Sequence, residues 1–144
     1  MDENQKYRIL LVEDEPSVLE TMAMVLESDG YEVSTATHGL DALLKLELAM
    51  PNLLISDLNM PQMSGFELLP IVRERYPLIP LIAISADHDS SGRAPDGVVA
   101  DAFYAKGRHR PDRLLRIVAE LIQAAAATLA FLPLPPTLMQ IGRD

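Results

Sequence analysis

Leu53-Leu54-Ile55-Ser56-Asp57-Leu58-Asn59-Met60-Pro61 decides how the rest of the chain is read. Three apolar residues follow Pro51-Asn52 and give way to a polar turn closed by Pro61, the pattern of a short buried strand from whose end Asp57 emerges. In open parallel α/β sheets, ligands and chemistry collect beyond the carboxyl ends of the strands. Asp57 therefore stands where a reacting group would.

The flanking sequence repeats the unit. Ile9 to Val12 is an unbroken apolar run, as in a strand buried on both faces, and it ends in Glu13-Asp14-Glu15. Pro16 fits the first position of a helix that carries Val18, Met22, Val25 and Leu26 before Gly30 stops it. Tyr31 to Ala36 gives a second strand, and Leu40, Leu43, Leu44 and Leu48 a second helix ending before Pro51. After the quoted stretch, Ser64-Gly65 caps a third helix through about Tyr76, with a bend expected at Pro70. Leu78 to Ser85 reads as a fourth strand. The Asp, Ser, Gly and Pro-rich segment from Ala86 to Gly97 supports at best a short, weak helix. Ala100 to Ala105 is a fifth strand followed by Lys106, and Pro111 opens a last helix through Leu114, Leu115, Val118, Leu121 and Ile122. Five strand-helix pairs predict parallel pairing with right-handed crossovers, hence a three-layer α/β sandwich.

Composition narrows the chemistry. The 144 residues suffice for one domain, taken as 1–127, with an apolar, proline-containing tail over 128–144. With 21 acidic against 12 basic residues the formal charge is -9, which argues against direct nucleic-acid binding. Cysteine is absent, so disulfides and thiolate metal sites are excluded and oxygen ligands remain. The polar, acidic start, Met1 to Arg8, is no secretory signal, and a cytoplasmic location is the expectation.

Parallel neighbours would gather Glu13, Asp14, Asp57, Ser85 and Lys106 around one cleft. Taken singly, each has a plain explanation as a turn former, helix-start acid, loop hydroxyl or solvated lysine. Jointly they point to chemistry. Carboxylates in close contact repel by up to about 4 kcal/mol per pair at an effective dielectric near 20, so the site calls for a cation, and Mg2+ suits a partly hydrated oxygen site. With charge drawn off by metal and ammonium, an Asp57 oxygen can attack phosphorus and form an aspartyl phosphate.

At these residues the chain resembles the receiver domain of bacterial two-component response regulators, over roughly Tyr7 to Ala124. Leu-Leu-Val-Glu-Asp-Glu is similar to the family's acidic first-strand motif, Ile-Ser-Asp-Leu-Asn-Met-Pro-Gln-Met-Ser-Gly to its phosphoacceptor loop, and Ser85-Ala86 and Phe-Tyr-Ala-Lys to its last two motifs. The resemblance implies a flavodoxin-like, doubly wound, five-stranded parallel sheet of order 2-1-3-4-5. It further implies that Asp57 takes phosphate from a sensor histidine kinase or histidine phosphotransfer protein. Glu13, Asp14, Asp57 and the backbone carbonyl of Asn59 would bind Mg2+, Ser85 and Lys106 would hold the phosphoryl group, and Phe103 would be the switch aromatic. Two positions depart from the pattern. Gly107 stands where the family usually has proline, and Ala86 to Gly97 is a poor match to the family's fourth helix.

A stand-alone signalling module, not an enzyme, is the leading expectation. Its rivals are an aspartate-nucleophile phosphohydrolase of the haloacid dehalogenase type, which requires a second acid where Asn59 offers an amide, and a receiver-like module that works without phosphate. Arg108, His109, Arg110, Arg113 and Arg116 form a basic cluster read as solvated, and His38 and His88 receive no role. Leu129, Phe131, Leu132, Leu134, Leu138, Met139 and Ile141 keep the tail apolar, but Glu120, Gln123 and the prolines interrupt any membrane-spanning stretch. A homodimer through the last helix and tail is therefore expected.

Overall fold

A computed structural model of the chain describes residues 6–87 and 91–131. Apolar strands too short to be stable alone pair into one five-stranded parallel sheet of order β2-β1-β3-β4-β5. The strands are β1 (Arg8–Val12), β2 (Glu32–Ala36), β3 (Leu53–Asp57), β4 (Leu81–Ser85) and β5 (Ala102–Ala105). Helices α1 (Pro16–Ser28), α2 (Gly39–Leu48), α3 (Gly65–Arg75) and α4 (Pro111–Ala130) lie between or after them. This is the doubly wound, flavodoxin-like arrangement expected.

Alternation along each strand divides the core in two. Leu10, Val12, Leu54, Leu81 and Ala83 pack against Ala42 and Leu46 of α2 and Leu68, Leu69 and Val72 of α3. Ile9, Leu11, Leu53, Ile55, Ile82 and Ile84 point the other way, onto Met22 and Leu26 of α1 and Leu114, Val118 and Ile122 of α4. Because both faces are covered, the central strands need apolar residues at every position, which explains their unbroken runs.

Local signals set the helix ends. Pro16 and Pro111 occupy first turns, where a missing N–H costs nothing, and the Ser64 N–H donates to Glu67 Oε1 at 3.3 Å at the start of α3. Helix α3 runs through Pro70 as one element, with the proline on its exposed side. His38, to which the sequence gave no role, caps α2: its Nδ1 accepts from the Asp41 N–H at 3.2 Å. Helix α4 extends past Ala127 to Ala130, with Phe131 as its cap. The tail beyond, and with it much of the surface expected to pair two chains, lies outside the described residues, as does His88.

One expectation needs correcting. Of five strand-helix pairs, four helices form, and the described residues between β4 and β5 contain no helix. Gly92 and Gly97 sit at φ +80° and +85°, and Pro95 lacks an N–H, so the helical hydrogen-bond ladder cannot be sustained there. Val98, Val99 and Ala100 instead pack, partly buried, against the α2/α3 side of the core. Asp101 anchors the end of this segment. Its Oδ2 accepts from the Leu81 N–H at 2.8 Å and pairs with Arg73 of α3 at 2.9 Å.

Gly65 fixes the seam between β3 and α3. A side-chain carbon added there would lie 2.4 Å from the Asp57 carbonyl oxygen and 2.8 Å from Leu58 Cα, both backbone atoms that cannot swing aside. Gly65→Ala is expected to cost about 1–3 kcal/mol of unfolding free energy in urea, as other overpacked cores do, and to displace the loop after Asp57. Stability within 0.5 kcal/mol of wild type would show that the seam is looser than described.

Candidate functional site

Parallel register brings the strand ends level. Val12 pairs with Ser56, Asp57 with Ile84 and Ser85 with Ala105, so β1, β3, β4 and β5 all deliver their last residues to one edge. There Glu13, Asp14 and Asp57 each offer a carboxylate oxygen, and these oxygens lie within 4.8 Å of one another. Glu13 and Asp57 are buried, Asp14 only partly. The donor set is oxygen-only, half-buried and open on the Asp14 side, which fits a hard divalent cation that keeps part of its water.

Lys106 supplies the opposite charge. Its Nζ donates to Glu13 Oε1 at 2.9 Å and to Asp57 Oδ2 at 3.4 Å, bridging residues 93 and 49 positions away. The partner of the shorter bond is Glu13, a contact the motif reading did not foresee. Burial alone would pull the lysine down, but the hydrogen bond to Glu13 and the charge of Asp57 outweigh it and hold the ammonium above its ordinary value. Glu13 moves the other way. Burial pushes its carboxyl up to about 7, with repulsion from Asp57 adding to the rise and the Lys106 hydrogen bond opposing it. The Glu15 N–H also donates to Glu13 Oε2 at 3.2 Å, which holds the carboxyl in place.

Gly107 takes φ +79°, a conformation open to glycine and strained for other residues, and no cis peptide bond occurs among the described residues. Lys106 still reaches the cluster. The turn is held by His109, whose Nδ1 accepts from the Ala105 N–H at 2.9 Å, and by the Tyr104 hydroxyl donating to the His109 carbonyl at 2.8 Å. Sequence reasoning placed His109 only in a basic cluster. Its position four residues after a strand-end alanine carried no signal of that role.

Asn59 and Ser85 are joined to each other. Asn59 Nδ2 donates to Ser85 Oγ at 2.9 Å, and the Asp87 N–H donates to the same oxygen at 2.9 Å, while the Asn59 N–H reaches Asp57 Oδ1 at 3.3 Å. Phe103 lies partly buried on the α2/α3 side of β5, level with Ala83 of β4. It therefore lies on the sheet two strands from Asp57, on the face that packs against α2 and α3. Ser56, a buried hydroxyl next to Asp57, was also missed; its Oγ donates to the Asp57 carbonyl at 3.0 Å.

A family model for the response regulator receiver domain matches residues 9–105, two thirds of the chain. The chain belongs to that family. Among curated relatives, the receiver domain is 37% identical over 92 residues to the transcriptional regulatory protein GlrR of Escherichia coli, covering 64% of this chain and 20% of that protein. It is 32% identical over 128 residues to the phosphate regulon transcriptional regulatory protein PhoB of Rhizobium meliloti, covering 87% and 56%. An uncharacterized 14.6 kDa protein of Leptolyngbya boryana is 41% identical over 80 residues, 54% of this chain and 61% of that one. The chain thus spans less than two thirds of the length of these relatives. A CheY-like receiver domain from Methanospirillum hungatei superposes with a TM-score of 0.76 at 28% identity, covering 86% of this chain and 99% of that one. The response regulator TrrA of Thermotoga maritima, solved in complex with Mg2+ and BeF, gives 0.72 at 33% identity over 81% and 99%.

The raised Glu13 carboxyl has a consequence for stability. A group whose native value lies above the ordinary 4.5 binds its proton more tightly when folded, so the native state is favoured at low pH and loses that advantage as pH climbs from about 4.5 to about 7. Metal-free receiver domain should therefore melt at a lower temperature at pH 7.5 than at pH 5.5. Glu13→Gln should flatten that difference, and adding Mg2+ at pH 7.5 should raise the wild-type melting temperature but not that of Glu13→Gln. Calorimetry in chelator and in Mg2+ checks both, and an unchanged pH slope in Glu13→Gln would assign the effect elsewhere.

Proposed function

We propose that the chain is a phosphoacceptor module that takes a phosphoryl group on Asp57 from a phosphohistidine of a sensor kinase or phosphotransfer protein, and signals through a change of shape rather than by turning over a substrate. The observation that carries this reading is the convergence of Glu13, Asp14, Asp57 and Lys106 on one buried edge. Crystals of TrrA with Mg2+ and BeF support it by relationship.

In this reading Glu13, Asp14, Asp57 and the Asn59 carbonyl hold Mg2+, which when bound neutralises the carboxylates and draws charge from the phosphoryl oxygens. An Asp57 oxygen attacks phosphorus as the phosphorus–nitrogen bond of the donor breaks, and the leaving imidazole takes a proton from solvent. Lys106 then exchanges part of its present bonding to Glu13 and Asp57 for a phosphoryl oxygen. Ser85, whose hydroxyl now accepts two hydrogen bonds, still has its own proton to donate to another such oxygen. Drawing Ser85 toward Asp57 breaks its bond to Asn59 and opens room beside β5 for Phe103.

The groove between α1 and α4, lined by Val18, Met22, Val25, Tyr104 and Leu114, adjoins Lys106 and offers the donor protein an apolar seat near Asp57. The phosphohydrolase alternative gains no support, because the amide of Asn59 is spent on Ser85 and cannot serve as a general acid.

Incubation with a small phosphodonor and Mg2+ should add one phosphate, located on Asp57 by mass spectrometry. Asp57→Asn should abolish labelling, and Lys106→Ala should slow it by about 10²-fold, the usual loss on removing one transition-state charge donor. Labelling that persists in Asp57→Asn, or continuous release of phosphate from small esters, would overturn the proposal. Hydrogen exchange across Ala100 to Phe103 should change on adding a phosphoryl mimic; identical protection in both states would refute the switch.

A further inference from the structure

Helix α2 carries a second feature that phosphotransfer does not use. Leu40, Leu44 and Leu48 recur every four residues and are 52%, 61% and 84% exposed, while Gly39, Ala42 and Leu46 of the same helix are buried. A helix that needed only to cover the sheet would place polar residues along that outer row. The three leucines expose about as much surface as two whole side chains, a contiguous strip of the few-hundred-Å2 size that marks an interaction surface.

We propose that this face of α2 is a self-association surface, closed by the same face of a second copy across a two-fold axis near Leu44. Two observations favour a second copy over an unrelated partner. The first is shape: a row spaced by four residues is one of the ridges that interlock in helix pairs, and identical ridges on both partners form the commonest crossing, near -50°. The second is charge. Asp41 and Lys45 flank the row on one side, joined to each other at 3.6 Å with side chains 34% and 40% exposed, and the Lys45 ammonium also donates to the Thr35 carbonyl of its own chain, a bond it would share with the incoming Asp41. A two-fold axis turns the second helix end for end while keeping like flanks together, so Asp41 of each copy comes opposite Lys45 of the other. On the other flank, Glu47 of each copy comes opposite Leu43, and the two Glu47 residues stay apart at opposite ends of the contact.

The strip is small. With its polar rim it reaches only the low end of specific interfaces, so the dimer should be reversible and of micromolar strength. It is distinct from any pairing through α4, which packs on the opposite face of the sheet from α2 and ends at the exposed Phe131.

The chain contains no cysteine, so a single introduced thiol reports one contact without ambiguity. In the full 144-residue chain, mild oxidation of Leu44→Cys should give predominantly disulfide-linked dimer, whereas Phe131→Cys should give only a trace. Sedimentation of the wild type should show concentration-dependent dimerisation. Leu44→Glu should weaken it at least tenfold; Asp41→Lys should weaken it, and Asp41→Lys combined with Lys45→Asp should restore it, since the swapped pair is again self-complementary. Circular dichroism confirms that each variant is folded. A wild type that stays monomeric at about 200 µM, a Leu44→Glu variant that dimerises as wild type does, or cross-linking at Phe131 but not Leu44 would each overturn the proposal.

Discussion

Three carboxylates forced together at the edge of a buried sheet, with one ammonium among them, form the constraint on which the rest of this structure turns. Glu13 has no solvent exposure and Asp57 almost none, so neither can rely on water to hold its charge. Lys106 answers part of the demand by bridging both, and Glu13 answers another part by its raised proton affinity. The arrangement is left short of positive charge, with three carboxylates against one ammonium, a donor set that suits a hard divalent cation.

The backbone around this edge is correspondingly constrained. Gly65 lets α3 begin against the Asp57 carbonyl, and Gln62 takes φ +69° in the loop between them, so the chain after Asp57 is closely held. At β5 the positive φ of Gly107 and the two bonds of His109 provide the turn that aims Lys106 inward. Proline is thus not required at that position for the lysine to reach its partners. By contrast, the described residues of the β4–β5 connection form no helix; Asp101 anchors its end and Val98, Val99 and Ala100 pack partly buried on the core.

The two outer layers also differ in what they leave uncovered. On one, α1 and α4 enclose an apolar groove that opens beside Lys106; on the other, α2 turns a leucine row to solvent while α3 exposes charged residues. A transfer partner and a second copy would therefore occupy opposite layers of the sheet without competing. That separation follows from the alternation of strand side chains, which assigns α1 and α4 to one core cluster and α2 and α3 to the other.

Much of this was legible in the chain. Runs such as Ile9 to Val12 and Leu53 to Ile55 declared strands buried on both faces, prolines and glycines marked helix ends, and acids or a lysine at strand ends announced the site, because period, capping and turn chemistry are local properties. The weakness of Ala86 to Gly97 as a helix was visible for the same reason, though the packing of Val98, Val99 and Ala100 on the core was not. Tertiary structure alone decided the rest. That Lys106 bonds most closely to Glu13, that Asn59 holds Ser85, that His109 braces a turn and that Leu40, Leu44 and Leu48 face outward all depend on which residues distant in sequence end up side by side. Local pattern records that a side chain is apolar or charged; only the assembled sheet, by setting register and burial, determines which partner it meets and whether water is left to share it.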